Sequence, residues 1–158
     1  MSLFRRESPV LCGALESETA NSCADIHGES FAHSWSAQEF ESMLSARETI
    51  ADGIFDGRSQ ALLGFVVTRA IAGEGEILTV ALKKAVRGRG NGALLLEHHL
   101  RRLASAGVQR LYLEVSCHNS PALKLYRAME FEEVGRRPSY YRLENGESSD
   151  AILMARNL

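Results

Sequence analysis

The sequence predicts a mixed α/β fold of the α+β kind, and three observations predict it. Strand-like apolar runs come as an antiparallel series in the first half of the chain and alternate with helical patterns in the second. A glycine-rich loop, Gly88-Arg89-Gly90-Asn91-Gly92, joins a buried strand to an apolar helix. The 158 residues carry no repeat, long linker or low-complexity tail, so one domain over 1–158 is expected. Hydrophobic content of 45% is enough for a sizeable core.

Each element follows in order. Val10 to Leu15 is a short apolar run and the first strand. From Ser17, the residues Ala20, Cys23, Ala24 and His27 recur at helical spacing. Phe31 to Trp35 is a loop; Ser36-Ala37-Gln38-Glu39 is a capping box that opens a second helix, with Trp35 and Phe40 as its hydrophobic staple. Ile50 to Phe55 and Ala61 to Ile71 read as a hairpin around Asp56-Gly57, and Glu76 to Leu82 as the next strand. Beyond the glycine loop, Ala93, Leu94, Leu96, Leu100, Leu103 and Ala104 mark a helix ending near Gly107. Val108 to Val115 alternates as a strand, which puts Glu114 on the face opposite Leu111, Leu113 and Val115. Asn119 or Ser120 caps a helix with Pro121 near its start and Ala122, Leu125, Tyr126 and Met129 on one face. Phe131 to Gly135 and Ala151 to Ala155 are the last strands, around a polar stretch that holds Tyr140-Tyr141 and Asn145-Gly146.

Composition excludes several classes. A net charge of −2 does not support a nucleic-acid footprint. No run of 18 apolar residues exists to span a membrane, and no apolar segment follows Arg5 and Arg6 as a signal peptide would need. Three scattered cysteines, Cys12, Cys23 and Cys117, suit reduced thiols in the cytoplasm rather than a disulfide framework or a zinc site. His98 and His99 are helix neighbours that point apart, so no metal is expected.

The glycine loop is read as an anion site, since bare backbone can approach a phosphate and the helix beginning near Asn91 turns its positive end toward the loop. It is not a Walker A loop, because no Lys-Ser or Lys-Thr follows. Gly88-x-Gly90-x-x-Ala93, with Glu114 beyond it, imitates a dinucleotide fingerprint; but five residues separate the strand from Gly88, and too little chain follows for a two-half dinucleotide fold. The third reading is Arg87-Gly88-Arg89-Gly90-Asn91-Gly92 as the pyrophosphate loop of acetyl-CoA.

With that loop, Trp35-Ser36, Leu113-Glu114-Val115, Asn119, Leu125-Tyr126 and Tyr140-Tyr141 in place, nearly the whole chain resembles the GNAT N-acetyltransferase family, and within it the enzymes that acetylate the N-terminal alanine of a ribosomal protein. The sequence departs from that pattern at Leu82-Lys83-Lys84, Glu130 and Arg142, and lacks a proline before Trp35. The resemblance implies a mostly antiparallel sheet of six to seven strands with one splayed parallel pair and about four flanking helices. It implies acetyl-CoA as cosubstrate, held by backbone at Val80, Ala81 and Leu82 and from Arg87 through Gly88, Arg89, Gly90, Asn91 and Gly92 to Ala93, with Asn119 and Tyr126 alongside. Lys84, Arg89, Lys124 and Arg127 are candidates for its ribose phosphate. Glu114 becomes the expected general base and Tyr126 the general acid; Trp35, Tyr140 and Tyr141 are expected to line the acceptor groove. The implied partner is a protein N-terminus, a ribosomal protein's alanine. A lysine or small-amine acceptor and a non-catalytic CoA-binding regulatory domain are the alternatives. Without the resemblance, Tyr126 is also compatible with core, Glu114 with a solvated strand carboxylate and Asn119 with a plain helix cap.

Overall fold

The computed structural model describes residues 8–142 and 145–158. The Arg5–Arg6 pair lies outside them. Seven strands form one sheet in the order β1-β2-β3-β4-β5-β7-β6. They are β1 (Val10–Ala14), β2 (Thr49–Asp56), β3 (Leu62–Ile71), β4 (Glu74–Leu82), β5 (Arg110–Ser116), β6 (Glu132–Arg142) and β7 (Ser148–Asn157). Among the described residues four α-helices flank it: α1 (Ala20–Ser30), α2 (Ala37–Ser45), α3 (Asn91–Ser105) and α4 (Ser120–Ala128). Every neighbouring pair is antiparallel except β4–β5, which is parallel. The expected fold class and mixed sheet are therefore present.

The two sheet faces carry different cores. On one, Leu95, Leu96, Leu100 and Leu103 of α3 and Leu123 and Tyr126 of α4 pack on Ile54, Val66, Leu111, Leu113 and Val115. On the other, Cys23 and Ile26 of α1 and Phe40 of α2 pack on Phe65, Val67 and Ala81. The 3.6-residue spacing of the helices and the period of two in β5 produce these faces directly. Glu114 is thereby turned away from the α3–α4 core, as its register predicts.

Local chemistry sets the ends. Ser36 caps α2 through a complete capping box, its Oγ accepting from Glu39 N–H at 3.1 Å while Glu39 Oε2 accepts from Ser36 N–H at 2.7 Å. Asn119 Oδ1 caps α4 by accepting from Ala122 N–H at 3.3 Å. Gly90 precedes α3 in the left-handed region at φ 81°, which a Cβ would strain.

Several boundaries differ from expectation. The β2–β3 connection is not a tight turn at Asp56-Gly57. Asp56 Oδ1 accepts from the N–H groups of Arg58 and Ser59, both at 2.8 Å, and builds a longer loop. β4 starts at Glu74, two residues early, and β5 starts at Arg110, two residues late. β6 does not stop at Gly135 but runs to Arg142, breaking register between Arg137 and Tyr141. Ser139 sits in that break at φ 54°, its N–H bonded to Asp150 Oδ1 at 3.0 Å.

Candidate active site

β4 and β5 pair only where they begin. Glu74, Gly75 and Glu76 face Arg110, Leu111 and Tyr112, and no pairing follows. Each strand nevertheless keeps its outer partner to the end: β4 stays on β3 as far as Leu82–Gly64, and β5 on β7 as far as Ser116–Ala151. The facing inner edges, residues 77–82 and 113–116, therefore splay. The cause is local. The β3 register slips so that Val67 meets Thr79 and Thr68 meets Ile77, leaving Leu78 as a bulged residue that bends β4 away. Backbone N–H and C=O groups on two bare parallel edges need partners. Thr79, on the splayed half of β4, also holds a buried Oγ1 without a hydrogen bond among the described residues. Unmet main-chain groups along a wedge suit an amide-bearing chain such as pantetheine.

The glycine loop closes the wide end of that wedge. A Cβ on Gly92 would lie 3.2 Å from Leu125 Cδ2 of α4 and 3.6 Å from Leu82 Cδ1 of β4, so the start of α3 is wedged against both. Gly88 and Gly90 have φ of 73° and 81°, and added Cβ atoms there would meet nothing within 4 Å. Backbone conformation, not crowding, calls for glycine at both positions. The first N–H groups of α3 point outward from its N-terminus with the positive end of the dipole. Asn91 Nδ2 donates to Val86 O at 3.0 Å and fixes the loop's shape. Arg87 is less available to an anion than its sequence position implies. Its Nε donates to Leu82 O at 3.1 Å and its Nη2 to Ser30 Oγ at 2.8 Å, which uses two of its five N–H donors as a brace between β4 and α1. Beside it, Lys84 N–H donates to Glu29 Oε2 at 3.2 Å.

Side chains gather where β5, β6 and α4 meet. Glu114 is 19% exposed and ion-paired with Arg137 Nη2 at 3.0 Å. Arg137 also lies over the ring of Tyr140, 5.4 Å from its centroid, and Tyr140 meets Tyr141 edge to face at 5.1 Å. Tyr126 is buried on α4 against Phe131. Burial, and then the neighbouring Tyr141, pushes its phenol up to about 12, so it keeps its proton at neutral pH. Tyr141 is raised too, by burial first and then by the charge of Glu114. Glu114, Tyr126, Tyr140 and Tyr141 thus form one electrostatically connected group. Trp35 stands in another, stacked on His27 at 4.8 Å and tilted against Phe40 at 5.6 Å.

Sequence reasoning missed three residues here. Arg137 reaches Glu114 across β7, and only the extended, irregular β6 makes that possible. His27 accepts a hydrogen bond on Nδ1 from Trp35 N–H at 3.0 Å. Asp52 is fully buried on β2 and gathers both helix histidines, correcting the expectation that they point apart: His98 Nε2 lies 3.4 Å from Oδ1, and His99 Nδ1 donates to Oδ2 at 2.5 Å. Of the two rings only His99 makes a hydrogen bond to the carboxylate among the described residues; His98 Nε2 is buried beside it without one. Arg102 Nη1 completes the cluster at 2.6 Å, and His99 Nε2 meets Thr68 Oγ1 at 2.7 Å. No helix among the described residues is long and apolar enough to cross a membrane.

The comparisons with known proteins agree with this geometry. The family model described as "Acetyltransferase (GNAT) family" matches residues 20–131. The chain is 33% identical over 140 residues to the [ribosomal protein bS18]-alanine N-acetyltransferase of Escherichia coli K12, covering 87% of this chain and 92% of that one. It is 34% identical over 155 residues to the N-alpha-acetyltransferase RimI of Mycobacterium tuberculosis H37Rv, covering 94% and 93%. Among solved structures, the ribosomal-protein-S18-alanine N-acetyltransferase from Escherichia coli superposes with a TM-score of 0.87 at 27% identity, covering 94% of each chain. A parallel pair that opens after three residue pairs, a glycine turn at its mouth and this similarity over most of the length lead to one conclusion: the chain belongs to the GNAT acetyltransferase family.

Proposed function

We propose that the chain is an acetyl-CoA-dependent N-acetyltransferase whose acceptor is a protein N-terminal α-amino group, with a ribosomal protein's alanine as the favoured case. The observation that carries this reading is the splayed β4–β5 pair with Glu114 beside it on β5. The names of the relatives at 33% and 34% identity support the acceptor class. When bound, acetyl-CoA supplies the thioester that an amine attacks.

The chain's own groups divide the remaining work. The splayed edge from Val80 through Ala81 to Leu82 offers main-chain groups to the pantetheine arm, the Leu82 C=O excepted because Arg87 holds it, and an N–H near Val80 or Leu82 faces the charge that develops on the carbonyl oxygen. The loop from Arg87 to Ala93 holds the pyrophosphate by main-chain N–H groups. An α-amino group has a pKa of about 7.7–8.0, so removal of one proton readies it. Glu114 takes that proton, directly or through a water. Arg137 holds the Glu114 carboxylate until the incoming ammonium replaces it there. Tyr126, still protonated, returns a proton to the departing thiolate. Asn119 supports the start of α4 beside the site, and Tyr140 and Tyr141 flank Glu114 as acceptor contacts.

The test is a panel of N-terminal peptides set against free lysine and small amines, read by thiol release. The expected result is turnover with a peptide beginning Ala-Arg and little with free amines. Glu114→Gln should lower kcat by roughly 10²–10⁴-fold while calorimetric acetyl-CoA binding is kept. No heat with saturating acetyl-CoA would remove the reading altogether.

A further inference from the structure

Outside the reacting groups, one buried titratable side chain organises a segment of the proposed acceptor groove. His27 sits in the last turn of α1 and is 3% exposed. Its main-chain carbonyl accepts from Phe31 N–H at 3.0 Å, and its Nδ1 accepts from Trp35 N–H at 3.0 Å. Both bonds that anchor the two ends of segment 31–35 therefore finish on one residue. The imidazole also stacks on Phe31 at 4.3 Å and on Trp35 at 4.8 Å, with Phe40 edge-on at 5.5 Å.

A ring nitrogen accepts from a backbone N–H only through its lone pair, so Nδ1 is bare and the neutral ring carries its proton on Nε2. Protonating Nδ1 would set an N–H against an N–H and cost the bond. We infer that His27 is a positioning residue for the acceptor: neutral, it clasps Trp35 and segment 31–35 in place, and protonated, it lets them go. This rests on the reading of Trp35 as part of the acceptor groove. Three of the groups facing the ring, Phe31, Trp35 and Phe40, carry no charge. From α2 the carboxylate of Glu39 bears on it, while already holding Ser36 N–H. On α1, the Glu29 and Ser30 side chains are bonded to Lys84 and Arg87. Burial moves the His27 pKa below its ordinary value and Glu39 only partly offsets this, so the neutral clasp holds through neutral pH and opens on the acid side.

Trp35 is the chain's one tryptophan, so it reports on its own clasp. The experiment follows Trp35 fluorescence from pH 8 to 5 and, at each pH, KM for the acceptor peptide under saturating acetyl-CoA. It compares wild type with His27→Asn, whose Oδ1 stands where Nδ1 stands and can accept the same bond without titrating. Wild type should show one fluorescence midpoint below the ordinary histidine range. The ratio of its acceptor KM to that of His27→Asn should rise about fivefold across the same midpoint, the share of one hydrogen bond. The acceptor's own titration cancels in that ratio, and KM for acetyl-CoA should stay flat. His27→Asn should show no midpoint and should match the wild-type acceptor KM at pH 8. A midpoint that survives in His27→Asn, or none in wild type, overturns the clasp. A fluorescence midpoint without any change in the KM ratio overturns the positioning role and removes Trp35 from the groove, while peptide turnover would leave the acetyltransferase reading intact.

Discussion

The wedge between β4 and β5 and the cluster joining β5, β6 and α4 are neighbours built on opposite plans. The first is main chain: two bare strand edges, a bulge at Leu78 and a glycine turn. Its side chains are ordinary core, so departures such as Leu82-Lys83-Lys84 leave its geometry intact. The second is side chains: Glu114 against Arg137, Arg137 over Tyr140, Tyr140 against Tyr141, and buried Tyr126 behind them. A main-chain site tolerates change in residue type as long as backbone conformation survives. A side-chain site fails residue by residue. Binding of one common cosubstrate suits the first plan, and chemistry and selection among acceptors suit the second.

The largest expected effect separates the two. Tyr126→Phe removes the proton donor and leaves the ring packed on Phe131, so kcat should fall by about 10²–10⁴-fold with KM for acetyl-CoA unchanged. A variant that kept its kcat but lost acetyl-CoA affinity would show that the phenol serves the wedge, and the division between the halves would collapse.

The buried cluster that ties α3 to β2 comes next. Burial alone would raise the Asp52 carboxyl, but the bond and charge of His99, and then Arg102, hold it below the ordinary carboxylate range. A depressed carboxyl pKa stabilises the fold above about pH 4 and loses that contribution as pH falls through the folded value. Asp52→Asn should cost about 3 kcal/mol at pH 7 by denaturant unfolding, since it leaves Arg102 and His99 poorly partnered. The gap between variant and wild type should close toward pH 3. A constant gap across that range would mean that the carboxylate's charge contributes nothing.

Much of the wedge was legible in the sequence, and for a physical reason. Positive φ at Gly88 and Gly90 restricts those positions to glycine, so backbone shape leaves a mark on residue type. The alternation that turns Glu114 off the α3–α4 core is equally direct, as are the Ser36 capping box and the Asn119 cap. The splay itself left no such mark. Leu78 reads as one more apolar residue in an unbroken strand, and the bulge exists only in its pairing with β3. The side-chain cluster was half visible. Tyr140 and Tyr141 stand out in the polar stretch after Gly135, but Arg137 does not, because its partner Glu114 is brought to it only by the sheet order, across β7. Asp52 met the same obstacle: it sits in an apolar strand, and its His99 partner is 47 residues away. Contacts that depend on sheet order are invisible to periodicity.

The wedge can be tested on its own terms through Gly90. Gly90→Ala places a Cβ in open space but at φ 81°, so its effect comes through backbone strain of about 1–2 kcal/mol. KM for acetyl-CoA should rise roughly tenfold with kcat at saturation retained, the mirror image of Tyr126→Phe. Gly92→Ala, which is not held at positive φ but would press on Leu125 Cδ2 at 3.2 Å, should give a smaller change read mainly in thermal stability. If the two alanine variants behaved alike, backbone conformation would not be what the loop contributes.

The smallest effect concerns the segment between α1 and α2 that carries Trp35. Ser36 caps α2 immediately after Trp35, so segment 31–36 is held by His27 at Phe31 and Trp35 and by the capping box at Ser36. Ser36→Ala removes the oxygen that accepts from Glu39 N–H, while Glu39 can still reach Ser36's own N–H. The loss should be about 1 kcal/mol in global stability. Because the imidazole clasp remains, Trp35 fluorescence at pH 8 should keep its wild-type value. A spectral change as large as that caused by acidifying the wild type would mean that the cap, rather than His27, sets the position of Trp35.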